Sequence, residues 1–133
     1  MSPKLEIERL PVTDDFVPRK RLIQERGELA LIEDGRRFQH LGYFSIKKGE
    51  GFYRGGHYHL RKTEHFYIVS GRILVRTVDL ETGVKSAVEL EPGCVATLHP
   101  NCAHRFEALE DGQVIEYYDG LYDPEDDHPF KDF

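Results

Sequence analysis

The segment from residue 51 to residue 71 constrains this chain more than any other, because it spaces three metal-ligating side chains along two extended stretches. His57 and His59 are two residues apart, and side chains alternate between the two faces of a β-strand, so both imidazoles point to one side. Glu64 follows a polar, turn-like segment and begins a run in which the residues on its own face are apolar. We therefore expect Glu64 to face inward, towards the two imidazoles.

The spacing of these residues, and of a second group further along the chain, resembles the two sequence motifs of the cupin superfamily. The first motif is matched at every fixed position: Gly51, five residues, His57-Tyr58-His59, four residues, Glu64, six residues and Gly71. The second is matched only in part, over Gly93, five residues, His99, one residue, Asn101, two residues and His104. His99 and Asn101 replace the family's usual Pro and second Gly, and Glu107 replaces its terminal Asn. The resemblance covers most of the chain. It implies an all-β cupin jelly-roll β-barrel in which His104 supplies a fourth ligand.

Three imidazoles and one carboxylate, from His57, His59, Glu64 and His104, form a ligand set that suits one divalent transition metal. Zn, Fe, Mn, Ni, Co and Cu all accept these ligand types, so the sequence does not select among them. A site of this kind at the mouth of a barrel leaves coordination positions open for water or substrate, as catalysis requires. A lone histidine is usually an ordinary core or surface residue. Four ligands in register favour a metal site, which is either catalytic or only stabilises the barrel.

The chain as a whole is predicted to be β-structure, because short segments rich in Val, Ile, Tyr and Phe alternate with Gly, Pro and charged clusters. No segment shows helical periodicity of useful length, and helix is expected only as a turn near 14–20 or in the tail. Short strands with closely spaced turns suit a jelly roll or small barrel. The predicted strands are 5–10, 28–33, 41–47, 56–60, 64–69, 72–79, 86–90, 94–99, 104–108 and 114–118.

Length and charge limit the organisation and the partners. A chain of 133 residues suits one domain, predicted as 1–133, with a barrel core at about 40–118 and an acidic tail at 119–133 that is solvated or wrapped over a neighbour. A net charge of -6 argues against general binding to nucleic acid or anionic membranes. The sequence has no membrane-spanning run, and its first residues lack the apolar core of a signal peptide, so we expect a cytoplasmic location.

The strand face opposite Glu64 suggests that the chain forms an oligomer. Its outward residues include Tyr67 and Val69, which are more apolar than a solvated face needs. This composition predicts that the face is buried in a homodimer. His65 is out of phase with Glu64, so we predict that it lies on the same opposite face, at the surface or in the interface.

A second, narrower resemblance concerns the reaction. Several segments are similar to the skeleton of the dTDP-4-dehydrorhamnose 3,5-epimerases and the dTDP-sugar ketoisomerases, which are also cupins. These segments are Arg54-Gly55-Gly56-His57-Tyr58, Val78-Asp79-Leu80 with Thr82-Gly83, Ala103-His104-Arg105-Phe106, and Tyr117-Tyr118 with Tyr122-Asp123-Pro124-Glu125. The resemblance implies that His57 is the base that removes a proton beside a ketone and that Arg54 contacts the substrate. It also implies that either Tyr117 or Tyr118 is the acid.

The two resemblances assign incompatible roles to His57. An imidazole whose free nitrogen binds a metal has no lone pair left to act as a general base. His59 and Glu64 favour the metal assignment, because the metal-free epimerases do not carry the full ligand set. A similar Arg-Gly-x-His-x-His segment also occurs in metal-binding cupin domains that are fused to nucleotide-sugar reductases. Proton transfer would then fall to a metal-bound water or to a nearby Tyr, Glu or His.

These observations lead to three functional hypotheses. The first is a metal-dependent isomerase or epimerase that acts on a carbohydrate, such as a nucleotide sugar, or on another polar keto compound. Its substrate would be an anionic or sugar-like small molecule held by Arg54. The second is an Fe(II)-dependent dioxygenase, because the same ligands hold iron with open positions. The third is a non-catalytic cupin that binds a sugar or another ligand. Fold kinship does not decide among them, since this architecture hosts many unrelated activities.

Overall fold

The computed structural model describes residues 3–133 as an almost wholly antiparallel β-structure, which confirms the predicted all-β class. The strands are β1 (Leu5–Arg9), β2 (Lys20–Gln24), β3 (Gly27–Leu31), β4 (His40–Ile46), β5 (Arg54–Tyr58), β6 (Glu64–Asp79), β7 (Lys85–Leu90), β8 (Cys94–Leu98), β9 (Cys102–Tyr118) and β10 (His128–Pro129). Helix in this part of the chain is limited to one 3-10 turn, Pro124–Asp126, in the tail. No helix among the described residues is long and apolar enough to cross a membrane.

Strands β6 and β9 form the spine of the barrel and pair with each other along most of their length. The first part of β6 also pairs with β8, and its last part pairs with β7. In the same way, the first part of β9 pairs with β5 and its last part with β4. Each long strand therefore passes from one half of the jelly roll to the other.

The prediction that β6 and β9 are each two separate strands is wrong. Both strands continue through the gaps between the predicted strands, at 70–71 and at 109–113. The register between β6 and β9 shifts at three points between Ile68 and Ile73. Gly71 makes this irregularity possible, because its φ is 85° and a Cβ at this position would overlap the Asp111 carbonyl oxygen. Gly71 in β6 and Asp111 and Gly112 in β9 therefore lie at bulges within continuous strands, and not at turns between shorter ones.

The interior of the barrel is filled by the side chains that alternate inward from the two spine strands. Phe66 of β6 and Phe106 and Val114 of β9 belong to one buried apolar cluster. On the same inward faces lie two buried polar side chains, Glu64 at the start of β6 and His104 near the start of β9. The apolar filling thus gives way to polar groups at one end of the barrel.

The hairpin β2–β3 covers part of the outer face, and its first strand was not predicted. Tyr67 is 3% exposed and lies in a second buried cluster, against which Ala30 and Ile32 pack. The chain itself therefore buries Tyr67, which the prediction assigned to a second copy, whereas Val69 is exposed. The homodimer stays a prediction. The prediction that His65 lies at the surface or in an interface is also wrong, because the chain itself buries this side chain to 6% exposure.

The acidic tail is largely exposed, as the solvated alternative predicted, but it lies against its own barrel. Its residues 123–130 run along β5, where β10 pairs with the strand and the Phe130 N–H donates to the Gly56 carbonyl at 2.8 Å. His128 stacks on Tyr58 with the ring centroids 5.0 Å apart. The tail therefore covers the edge of its own barrel, beside the strand that carries the first predicted ligands.

Candidate metal centre

Strand register brings the four predicted ligands together. His57, His59, Glu64 and His104 each offer one ligand atom, and these atoms lie within 4.8 Å of one another. His57 pairs directly with His104 across β5 and β9. Gly55 permits this close pairing, because a Cβ there would lie 2.9 Å from the His104 carbonyl oxygen. The convergence that the sequence predicted is present in the fold.

Two of the imidazoles aim a bare nitrogen at the carboxylate of Glu64. His59 Nδ1 lies 2.6 Å from the Asp126 carbonyl oxygen, and His104 Nδ1 lies 3.1 Å from the Cys102 carbonyl oxygen. A carbonyl oxygen only accepts hydrogen bonds, so each Nδ1 carries the proton and each Nε2 keeps its lone pair. The two Nε2 atoms lie 3.0 and 3.3 Å from Glu64 Oε1, which also has only lone pairs to offer.

These three acceptor atoms make the site chemically incomplete. His59 Nε2, Glu64 Oε1 and His104 Nε2 are buried, and none has a hydrogen-bond partner among the described residues. Buried polar atoms nearly always have a partner, because desolvation without one is costly. A metal ion placed between them satisfies all three, whereas a single proton is shared by only two of them. The donor set of two bare imidazole nitrogens and a carboxylate therefore fits a divalent transition metal.

The ionisation of the cluster follows from the same contacts. Burial raises the pKa of Glu64, but the adjacent His104 and His59, when an imidazole is protonated, outweigh it and hold this pKa well below its usual value. Burial lowers the pKa of His59, but the neighbouring carboxylate of Glu64 stabilises the protonated ring and the net pKa is raised. Without a metal, His59 therefore holds a proton more firmly than an isolated imidazole does. A metal ion would take the place of that proton.

The remaining ligand, His57, lies at the edge of the cluster with 25% of its side chain exposed. Its Nδ1 is 2.8 Å from Asp127 Oδ1, which leaves Nε2 available as a ligand atom. Burial, together with the neighbouring His104 and His59, lowers the pKa of His57 to about 4. His57 is therefore neutral at physiological pH, which is the form that a metal requires.

Lys62 supports Glu64 from the other side. Its Nζ lies 3.6 Å from Glu64 Oε2, the carboxylate oxygen that does not face the imidazoles. The same ammonium lies over the ring of Tyr118, 4.3 Å from its centroid. Lys62 thus pairs with one oxygen and leaves the other free for a cation.

A cavity of about 240 Å³ lies beside the ligands, and Glu64, His57 and His104 contribute to its lining. Arg54 and Glu116 also line it. Its apolar wall consists of three rings, Phe44, Phe66 and Phe106. Glu116 shares the inward face of β9 with buried residues, and burial, followed by the charge of Glu64, raises its pKa. A carboxyl group with a raised pKa holds its proton more firmly than an exposed one and suits proton exchange with a bound molecule.

The three residues predicted to be catalytic have different positions. Arg54 lies at the cavity, with its Nε donating to the Ser45 carbonyl at 3.2 Å. Tyr117 points to the outer face, where its hydroxyl donates to Glu33 at 3.0 Å, so the structure does not bring it to the cavity. Tyr118 points inward, and its buried hydroxyl has no hydrogen-bond partner among the described residues, but it lines a separate depression with Arg61.

Three residues near the ligands were missed. Glu116 was detectable, because it alternates with Val114 and Tyr118 along an inward-facing strand. Asp126 and Asp127 were not detectable, because nothing in their local sequence shows that the tail returns to β5. The tail composition indicated only a solvated or wrapped segment.

The sequence matches the model of one protein family, described as the polysaccharide biosynthesis C-terminal domain, over residues 23–130. No curated protein sequence matches the chain.

Solved structures share the fold. A mutant 3,4-ketoisomerase from Thermoanaerobacterium thermosaccharolyticum, in complex with TDP-4-keto-6-deoxyglucose, superimposes with a TM-score of 0.75 at 16% identity, over 95% of this chain and 87% of that chain. A dTDP-4-dehydrorhamnose 3,5-epimerase from Sulfolobus tokodaii gives 0.70 at 22% identity, over 93% and 80%. The capsular polysaccharide assembling protein CapF from Staphylococcus aureus gives 0.63 at 24% identity, over 92% of this chain but 35% of that chain. The predicted cupin fold, and its likeness to the sugar-nucleotide cupins, are confirmed.

Proposed function

The chain belongs to the polysaccharide biosynthesis C-terminal domain family, and from this premise we propose that it is a metal-dependent isomerase or epimerase of a keto sugar carried on a nucleotide. The fold likeness to sugar-nucleotide isomerases and epimerases supports the class of reaction. The single observation that carries metal dependence is the convergence of three unpartnered lone-pair atoms, on His59, Glu64 and His104. Such a set beside an open cavity suits a cation that also meets a substrate.

The residues around the cavity suit proton transfer next to a carbonyl group. A bound divalent metal would supply Lewis-acid polarisation of the substrate carbonyl. Glu116, in its ionised form, accepts the proton from the carbon next to that carbonyl, and the C–H electron pair moves into an enediolate. In an isomerisation, the same carboxyl returns the proton to the former carbonyl carbon, and the proton of the neighbouring hydroxyl passes to the former carbonyl oxygen. An epimerisation needs a second acid, which delivers a proton to the opposite face of the original carbon. Because burial raises the pKa of Glu116, the group is a stronger base than an exposed carboxylate.

Arg54 and the aromatic wall supply binding rather than chemistry. The guanidinium of Arg54 lies at the cavity and suits an anionic group such as the diphosphate of a nucleotide sugar. Phe66 and Phe106 are 3% and 2% exposed, so they form a rigid apolar side of the cavity that limits access of water. The proposed substrate is therefore a molecule with a polar keto sugar and an anionic tail.

Solvent isotope exchange tests the proposal. TDP-4-keto-6-deoxyglucose, the ligand of one structural neighbour, is incubated in deuterated water with the protein in its zinc-loaded form and after removal of metal by a chelator. We expect deuterium to enter next to the keto group only with the metal-loaded protein, and exchange to return when metal is restored. Full exchange by protein shown to be free of metal would contradict metal dependence.

The contact between His57 and Asp127 favours a second candidate, the same proton transfer without metal. Asp127 lies 2.8 Å from His57 Nδ1, an arrangement that orients an imidazole to accept a proton at Nε2. His57 would then be the base, as the resemblance to the epimerases implies, and Glu64 would only stabilise the barrel. The isotope experiment separates the two candidates, because this one predicts exchange in the absence of metal.

A further inference from the structure

The C-terminal segment contacts two of the four candidate ligands. Residues 123–130, which we call the C-terminal strap, include the 3-10 turn and β10. The turn is closed by Asp123, whose carboxylate accepts from the Glu125 N–H at 3.0 Å. Beyond the turn, the strap pairs with β5 through His128 and Pro129, opposite Tyr58 and His57. The strap is therefore held against the strand that carries the ligands.

Asp127 lies beside the first of these ligands. Its Oδ1 is 2.8 Å from His57 Nδ1, although 41% of the aspartate side chain is exposed. An exposed carboxylate contributes little to folding by burial, so its proximity to this ring is not explained by packing. A carboxylate oxygen at this distance favours the tautomer of His57 that carries the proton on Nδ1, and this tautomer leaves the lone pair on Nε2 for a metal.

Asp126 holds the second ligand from two directions. Its carbonyl oxygen accepts from His59 Nδ1 at 2.6 Å, and its carboxylate accepts from the N–H groups of Leu60 and Arg61 at 2.7 and 3.2 Å. The side chain is 2% exposed, so these bonds are shielded from water. Asp126 thus fixes both the ring of His59 and the backbone that follows it.

We propose that the C-terminal strap is a positioning element of the metal centre, with Asp127 orienting His57 and Asp126 orienting His59 so that the affinity for the metal depends on the strap. The proposal rests on the metal dependence of the proposed function. Glu64 and His104 come from β6 and β9 and are placed by the barrel itself. His57 lies in β5 and His59 directly follows it, at the side of the sheet that the strap covers. The strap therefore holds these two ligands in place. Groups that hydrogen-bond to ligands in this way typically change metal affinity by about 10-fold to 100-fold.

Zinc affinity, measured by competition with a chromophoric chelator, tests the proposal on the full chain. The variants are Asp127→Ala and Asp127→Asn, with Asp132→Ala as the matched control. Asp132 belongs to the same acidic tail, is exposed, and lies 3.6 Å from Lys85, away from the ligands. We expect Asp127→Ala to lower the affinity by about 10-fold to 100-fold, and Asp127→Asn to lower it less, because its side-chain oxygen still faces Nδ1 of His57. Asp132→Ala should leave the affinity unchanged.

A second readout separates positioning from general stabilisation. The melting temperature of each variant is measured after removal of metal, and we expect Asp127→Ala and Asp132→Ala to agree. A wild-type protein that binds zinc, with Asp127 variants that bind it equally well, would overturn the inference and leave the proposed function intact. An affinity loss matched by a loss of metal-free stability would also overturn it, since the strap would then be only structural. A wild-type protein that binds no transition metal would overturn both.

Discussion

Two buried clusters of similar composition lie on opposite faces of the same sheet. The inner cluster consists of His59, Glu64 and His104, and the outer cluster of Glu33, His65 and Tyr117. The two clusters meet at β6, where Glu64 faces inward and the next residue, His65, faces outward. Both clusters place imidazole and carboxylate groups in the interior of the chain. Residue type and burial therefore do not distinguish them.

Hydrogen bonding does distinguish them. In the outer cluster, Tyr117 donates to Glu33 at 3.0 Å and Arg36 pairs with the same carboxylate at 3.0 Å. His65 Nδ1 lies 2.9 Å from the Thr97 hydroxyl. In the inner cluster, each member has a buried atom without a partner. A buried polar group that is satisfied contributes to the fold, whereas one that is not satisfied indicates a missing ligand.

Removing one carboxylate from each cluster should give opposite results, and this is the largest expected effect. Glu64→Gln removes the charged ligand of the inner cluster, so we expect zinc affinity to fall by more than about 100-fold and isotope exchange to be lost. Glu33→Gln weakens the outer cluster, so we expect a loss of about 1–3 kcal/mol in the free energy of unfolding with zinc affinity retained. Competition with a chromophoric chelator measures the zinc affinity, and chemical denaturation measures the free energy of unfolding. Equal zinc binding by Glu64→Gln and wild-type protein would remove the distinction between the clusters.

A variant of Glu116 distinguishes proton transfer from metal binding on the inner face. Glu116 lines the cavity but is not one of the four candidate ligands. We expect Glu116→Gln to retain zinc but to lower the rate of exchange by about 100-fold to 10,000-fold, as loss of a general acid–base group does. Glu107→Gln on the same strand is the matched control, because Glu107 pairs with Arg76 and Arg105 instead of lining the cavity. A normal rate in Glu116→Gln would assign the proton transfer to another group.

The smallest effect is a difference in pH dependence between the metal-free and zinc-loaded proteins. The pKa of His59 in the fold is raised above 6.5, so its stabilising contribution is full below pH 6.5 and is lost as pH rises through the raised value. Metal-free protein should therefore lose roughly a few degrees in Tm as pH increases above 6.5. Zinc affinity should increase over the same range, because protons compete with the metal for imidazole.

The Glu64→Gln variant is the control for this pH dependence. Since the carboxylate of Glu64 is what raises the pKa of His59, the metal-free variant should lose the decline in Tm above pH 6.5. A decline of the same size in this variant would show that another group is responsible.

The sequence predicted the convergence of four side chains because their placement depends on local rules. The alternation of side chains along a strand fixes His57, His59 and Glu64 on inward faces, and the motif spacing places His104 opposite. The failed predictions depend on contacts between distant segments. Tyr67 is covered by a hairpin more than thirty residues away, and no local pattern shows this.

The strap and the long strands were missed for related physical reasons. Asp127 contributes to the site only because the tail returns to β5, which depends on pairing across the whole barrel. Gly71 lay in the gap between the predicted strands 64–69 and 72–79, but a glycine with positive φ suits a bulge as well as a turn. Local sequence therefore specifies which face a residue occupies better than it specifies what covers that face.

Elemental analysis of the wild-type protein, purified without added metal, tests most directly the claim that the three bare atoms of the inner cluster bind a cation. We predict close to one transition-metal ion per chain, held by His57, His59, Glu64 and His104. A wild-type protein that contains no transition metal, and takes up none when zinc is supplied, would contradict the account.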